Sequence, residues 1–97
     1  MAEVVYSARA LLAIERAFQF LRQENPSAAI SAAEAISSAV DNLKAHPLIG
    51  RRVEGELREF VISYGRTGYV ALYRFVIGRD EVRILALRHQ RELGFLP

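Results

Sequence analysis

ELREFVISYGRTGYVALYRFVIGRDEVRILALRHQRE, residues 56–92, reads as three strands joined by two tight turns. Leu57 to Ile62 form the first run. Gly65-Arg66-Thr67-Gly68 supplies turn chemistry, because glycine takes positive φ without a Cβ clash. Tyr69 to Ile77 form the second run, rich in the aromatic and β-branched residues that suit a pleated surface. Gly78-Arg79-Asp80 is the next turn, and Val82 to Leu87 the third run. Turns this short imply antiparallel neighbours. The second run is apolar at both parities. Tyr69, Ala71, Tyr73, Phe75 and Ile77 fall on one face, and Val70, Leu72 and Val76 with Arg74 on the other. That pattern marks a central strand, at least partly covered on both sides.

Upstream the period changes from two to three or four. Val4, Val5 and Tyr6 make a short β-like run, expected to pair with the edge of the later sheet. Ser7 is a helix N-cap candidate, since its hydroxyl can accept from an orphan backbone N–H. A first helix is predicted over Ala8 to Glu24, with Leu11, Ile14, Phe18 and Leu21 as its apolar stripe. Asn25-Pro26 is both a stop and a start. Asn25 can cap, and proline fits the first helical position, where its missing N–H is not needed. A second helix is predicted over Pro26 to Lys44, with Ile30, Ala33, Ile36, Val40 and Leu43 inward. Its many Ala and Ser residues permit close approach of the first helix, and the short link implies an antiparallel hairpin. His46-Pro47 ends it, because proline disfavours the α conformation in the residue before it. Pro47 to Gly55 reads as a loop. Helices first and strands afterwards make this an α+β chain: a short N-terminal strand, an antiparallel helical hairpin, then a three-stranded antiparallel meander forming one sheet.

At 97 residues the chain is a single domain by length. It has no cysteine, which excludes a disulfide frame and suits a cytoplasmic setting. Met-Ala-Glu-Val-Val-Tyr at the start lacks the pattern of a signal peptide, and no apolar run is long enough to cross a membrane. The net charge of +2 is unevenly spread. Residues 1–50 hold four basic and five acidic side chains, whereas residues 51–97 hold nine basic and six acidic ones, and all nine are arginine. The arginine fork matches phosphate or carboxylate oxygens, so an anionic partner is expected on the sheet.

Few residues offer chemistry. By strand parity His89 should share a face with Leu85 and Leu87, and Arg88 with Ala86 and Ile84. A histidine near Arg91 could move a proton beside a clamped phosphate. His46 reads as a helix-end residue, and His46 with His89 makes a poor metal site. No cofactor-binding or metal motif is present. Tyr64, Tyr69 and Tyr73 could stack on bases, but this spacing reads first as that of ordinary strand residues.

Gly-Tyr-Val-Ala-Leu-Tyr-Arg-Phe, residues 68–75, and Ile-Leu-Ala-Leu-Arg-His-Gln-Arg-Glu, residues 84–92, carry a resemblance. Together with the order of elements, they make the chain similar to the RelE/ParE superfamily of bacterial toxins, also called plasmid stabilisation proteins. The resemblance implies a RelE-like fold over the whole chain. It also implies a toxin that forms a hetero-oligomeric complex with a cognate, DNA-binding, ParD-like antitoxin. RelE-like members cut mRNA in the ribosome with basic residues and no metal; ParE-like members poison DNA gyrase. RelE-like members carry Arg directly after Gly-Tyr, where this chain has Val70. Their terminal basic position matches Arg91. Some have a late Tyr, for which Phe95 is the nearest aromatic and has no proton to give. The resemblance therefore leans to the ParE-like, non-cleaving branch. If the chain were a nuclease, Arg58, Arg74, Arg88 and Arg91 would form the phosphate clamp, with His89 as proton shuttle. Leu12, Phe20, Ile49 and Tyr64 are expected to line the antitoxin groove.

Overall fold

The computed structural model describes residues 1–64 and 67–89, apart from the side chains of Ser63, Tyr64 and Thr67. The expected turn at Gly65-Arg66 and the tail from Gln90, with Arg91 and Phe95, lie outside the described residues. The elements run β1 (Glu3–Tyr6), α1 (Ala8–Glu24), α2 (Pro26–Ala45), β2 (Arg51–Glu54), β3 (Leu57–Tyr64), β4 (Thr67–Val76), a 3₁₀ turn (Ile77–Arg79) and β5 (Glu81–His89). The sheet order is β1-β5-β4-β3-β2. β1 pairs with β5 in parallel, and the other neighbours are antiparallel. β4 is thus the central strand that its apolar parities predicted.

The caps explain the helix limits. Ser7 accepts from Ala10 N–H at 3.0 Å and starts α1. Asn25 serves both helices. Its own N–H donates to the Leu21 carbonyl at 2.7 Å, and its Oδ1 accepts from Ser27 N–H at 3.0 Å, with Pro26 at the first helical position. One residue therefore turns the chain, and α2 packs back on α1. The His46 N–H closes α2 on the Asn42 carbonyl.

The helices cover one face of the sheet. The core between them holds Ala10, Ala39, Leu43, Ile62, Tyr69, Ala71, Tyr73, Val82 and Ile84. Leu43, Tyr73 and Val82 are its largest fully buried side chains. Three readings change here. First, the loop predicted after Pro47 contains a strand, β2, so the meander has a fourth, edge member. Every residue of β2 is exposed. It lacks the apolar alternation that signals a strand and exists by pairing with β3 across Gly55, whose φ is +54°. Second, α2 buries Ala29, Ala32, Ala39 and Leu43, while Ile30 and Ala33 face outward. Close contact with α1 selects the small residues, and the stripe is rotated by about one position from a purely hydrophobic reading. Leu11 of the predicted α1 stripe is also exposed, whereas Ala10 beside it is buried. Third, the second run ends at Val76, and Ile77, expected in the strand, opens the 3₁₀ turn Ile77–Arg79, whose cap Asp80 is left-handed with φ 48°.

No helix among the described residues is long and apolar enough to cross a membrane.

Candidate functional site

Cross-strand neighbours share a face, so the register sorts the arginines. Tyr73 pairs with Arg58 and Ile84, which places all three on the helix-covered side. Leu72 pairs with Glu59 and Ala86, Val70 with Val61 and Arg88, and Arg74 with Arg83; these form the open side. Arg51 of β2 joins them opposite Glu59. The open face therefore has an apolar middle of Val61, Val70, Leu72 and Ala86, with charged groups on both flanks. Val70 and Ala86 are buried even here.

A β-bulge in β5 produces this arrangement. Leu72 faces Ala86 and Tyr73 faces Ile84, so Leu85 is the additional residue. The bulge leaves Leu85 outside the ladder, and its carbonyl accepts from the Ser7 hydroxyl at 2.8 Å. Ser7 N–H donates to the Ile84 carbonyl at 2.9 Å, so one serine caps α1 and fastens it to the bulge. The extra residue overturns simple parity counting. Ile84 joins Leu87 and His89 on the helix side, while Arg88 keeps company with Ala86 and Arg83.

The candidate phosphate clamp is accordingly divided. Arg74 and Arg88 lie on the open face. Arg58 lies on the other, where its Nη1 donates to the carbonyls of Leu48 at 3.1 Å and Gly50 at 2.8 Å. His89 is also on the helix side, edge-on to the Tyr69 ring with centroids 5.5 Å apart. Arg91 is outside the described residues. Glu59 accepts from Arg51 at 2.7 Å and has its other oxygen 3.7 Å from Arg88, so a carboxylate already sits between two of the cations. Arg83 likewise bonds Glu81 at 2.6 Å. Sequence reading missed Glu59 and Glu81 as counter-charges because only register reveals what stands beside a strand residue.

Arg58 belongs to a clasp. Gly50 N–H donates to the Tyr73 hydroxyl at 2.8 Å, and Arg58 holds the carbonyls on either side of Ile49. The segment leaving α2 is thereby pinned, while Leu48 and Ile49 project outward with about half their surfaces exposed. Burial pushes the Tyr73 phenol above its ordinary value of 10.0, opposed by the Gly50 N–H and by Arg58; burial alone raises Tyr6. The folded chain thus holds these protons more tightly than the unfolded chain. Their contribution to stability is complete below pH 10 and is lost as pH climbs through the folded-state values. Urea midpoints should fall above pH 10. Tyr73→Phe should lower stability at neutral pH by about 1–3 kcal/mol, by stranding the buried Gly50 N–H, and should flatten the alkaline decline. A variant as stable as the parent would show that the bond contributes nothing.

Of the residues expected in the antitoxin groove, Leu12 and Phe20 are exposed on α1 and Ile49 on the pinned segment. The Tyr64 side chain is outside the described residues. Leu11 and Ile30, both expected to face inward, and Leu48 are further exposed apolar residues on the helical layer and its exit.

Residues 4–94 match the family model for ParE toxin of type II toxin-antitoxin systems. The chain belongs to the ParE toxin family. Within the wider RelE/ParE group, it is 35% identical over 92 residues to Toxin RelE3 of Caulobacter vibrioides, covering 95% of this chain and 98% of that one. In fold it is similar to a chain of the chromosomal ParDE system from P. aeruginosa, with a TM-score of 0.69, 22% identity and coverage of 92% and 96%. It also resembles a chain of the intact E. coli RelBE toxin-antitoxin complex, with a TM-score of 0.65, 12% identity and coverage of 95% and 100%. The family rests on the sequence match, and the solved structures share the fold. The names of its relatives straddle both branches of the superfamily.

Proposed function

We propose that this ParE-family toxin acts in the cytoplasm by binding and poisoning DNA gyrase, and that a cognate, DNA-binding, ParD-like antitoxin silences it. The observation that supports a binding poison over a nuclease is the division of the would-be catalytic groups. Arg58 and His89 lie on the helix side, and Arg74 and Arg88 on the open side. Phosphoryl chemistry needs its proton shuttle and its cationic clamp to converge on one atom. Val70, at the place where a cleaving relative would carry Arg, is only 6% exposed and has no charge to offer. The open face, with its apolar middle and flanking arginines, serves as the target surface. The Caulobacter relative's RelE name favours a second reading, a ribosome-dependent endoribonuclease.

Supercoiling by purified gyrase separates the two. Inhibition by the purified toxin, relieved by adding antitoxin, is expected. Full supercoiling at large toxin excess, together with cuts between codons in translated mRNA, would transfer the role to the nuclease.

A further inference from the structure

Most arginines of the described sheet have a partner within the chain. Arg51 and Arg88 share Glu59, Arg58 holds the carbonyls of Leu48 and Gly50, and Arg52 donates twice to the Gly55 carbonyl. Arg74 differs. No carboxylate among the described residues lies within ion-pair distance of it, and its Nε, like that of Arg88, is shut off from solvent without an acceptor. Its cross-strand neighbour is a second cation, Arg83. Like charges placed directly opposite destabilise a sheet pair. Glu81 relieves only half of this, because it bonds Arg83 from the same strand at 2.6 Å.

We propose that Arg74 and Arg83 form an oxyanion site whose ligand is a side-chain carboxylate on an acidic polypeptide segment laid across the open face. Two guanidinium forks on adjacent strands can each direct N–H groups at one carboxylate, and an anion between them removes their mutual repulsion. The surroundings select a polypeptide over a nucleic acid. Glu59 and Glu81 share the face, and Glu3 is registered beside Glu81. A continuous row of phosphates would meet these carboxylates as well as the arginines, whereas nucleic-acid binding is driven by uninterrupted cations. An isolated Asp or Glu between apolar neighbours meets only the pair. Val61, half exposed, and Leu72 offer those neighbours a surface. The site is independent of whether gyrase or the ribosome is the target, so either outcome of the supercoiling assay leaves it standing.

The probe is a capped peptide of alternating Glu and Val, titrated into the full chain while the arginine Nε–Hε resonances are followed by NMR. A single-stranded oligothymidylate of equal charge is titrated in parallel. The peptide should shift the Arg74 and Arg83 resonances. Arg74→Gln with Arg83→Gln should weaken its binding at least about tenfold, whereas Arg22→Gln, which removes a single charge from the exposed end of α1, should change it by less than about twofold. Should the double variant fail to fold, Arg83→Gln alone serves, because that side chain is already 39% exposed. Equal weakening by Arg22→Gln, unmoved Arg74 and Arg83 resonances, or oligothymidylate binding at the pair more tightly than the peptide would each overturn the assignment.

Discussion

Gly50→Ala should be among the most damaging single-methyl additions this chain can suffer. A Cβ at that position would stand 2.6 Å from Cε1 and from Oη of Tyr73, and 2.7 Å from the Glu59 carbonyl oxygen. Neither obstacle can yield easily. Tyr73 is wholly buried at the centre of the core, and the carbonyl belongs to β3 backbone. Relief requires the segment to lift away, which breaks the Gly50–Tyr73 bond and pulls the Gly50 carbonyl from Arg58. Overpacking plus loss of a buried hydrogen bond should cost about 3 kcal/mol, which for a domain of this size lowers Tm by on the order of 15 °C. Gly78→Ala is the matched control. A Cβ there meets nothing within 4 Å, and its effect should stay within about 0.5 kcal/mol. Equal melting temperatures for the two variants would refute the clasp.

Phe20→Asp should leave the isolated toxin nearly untouched and weaken its complex with the antitoxin by about 30-fold or more. Phe20 is 61% exposed on α1, so little folding energy depends on it. A large aromatic side chain held open to water on a rigid helix is the type that dominates binding when a partner covers it, with truncations costing about 2 kcal/mol or more. Replacing the ring with a carboxylate also places an unpaired charge under the partner. Calorimetric titration of the cognate antitoxin reads the loss, and the melting temperature of the free toxin checks the fold. An unaltered Kd would remove this helix face from the interface.

Much of the architecture was legible because local chemistry and tertiary structure agree. Ser7, Asn25-Pro26 and His46-Pro47 are physical stop and start signals, and the helices begin and end within one residue of where those signals place them. The central strand announced itself by being apolar at both parities. What could not be read depends on partners distant in sequence. β2 is a strand only because β3 lies beside it. The inward face of α2 is chosen by the nearness of α1, which favours Ala29 and Ala32 over the greasier Ile30. Arg58 and Arg74 look alike as arginines in strands, yet one holds a backbone clasp and the other lies on the open face. Nothing in their immediate sequence distinguishes them until pairing is known.

The additional residue at Leu85 bears on how relatives of this toxin should be compared. Counting positions along the last strand from the preceding turn is valid only as far as Ile84. Past that point, a homologue with the same letters in the same order but no bulge would swap the imidazole and guanidinium between the two sides. A motif alignment would score such proteins as alike, although they would offer opposite chemistry to whatever each one grips.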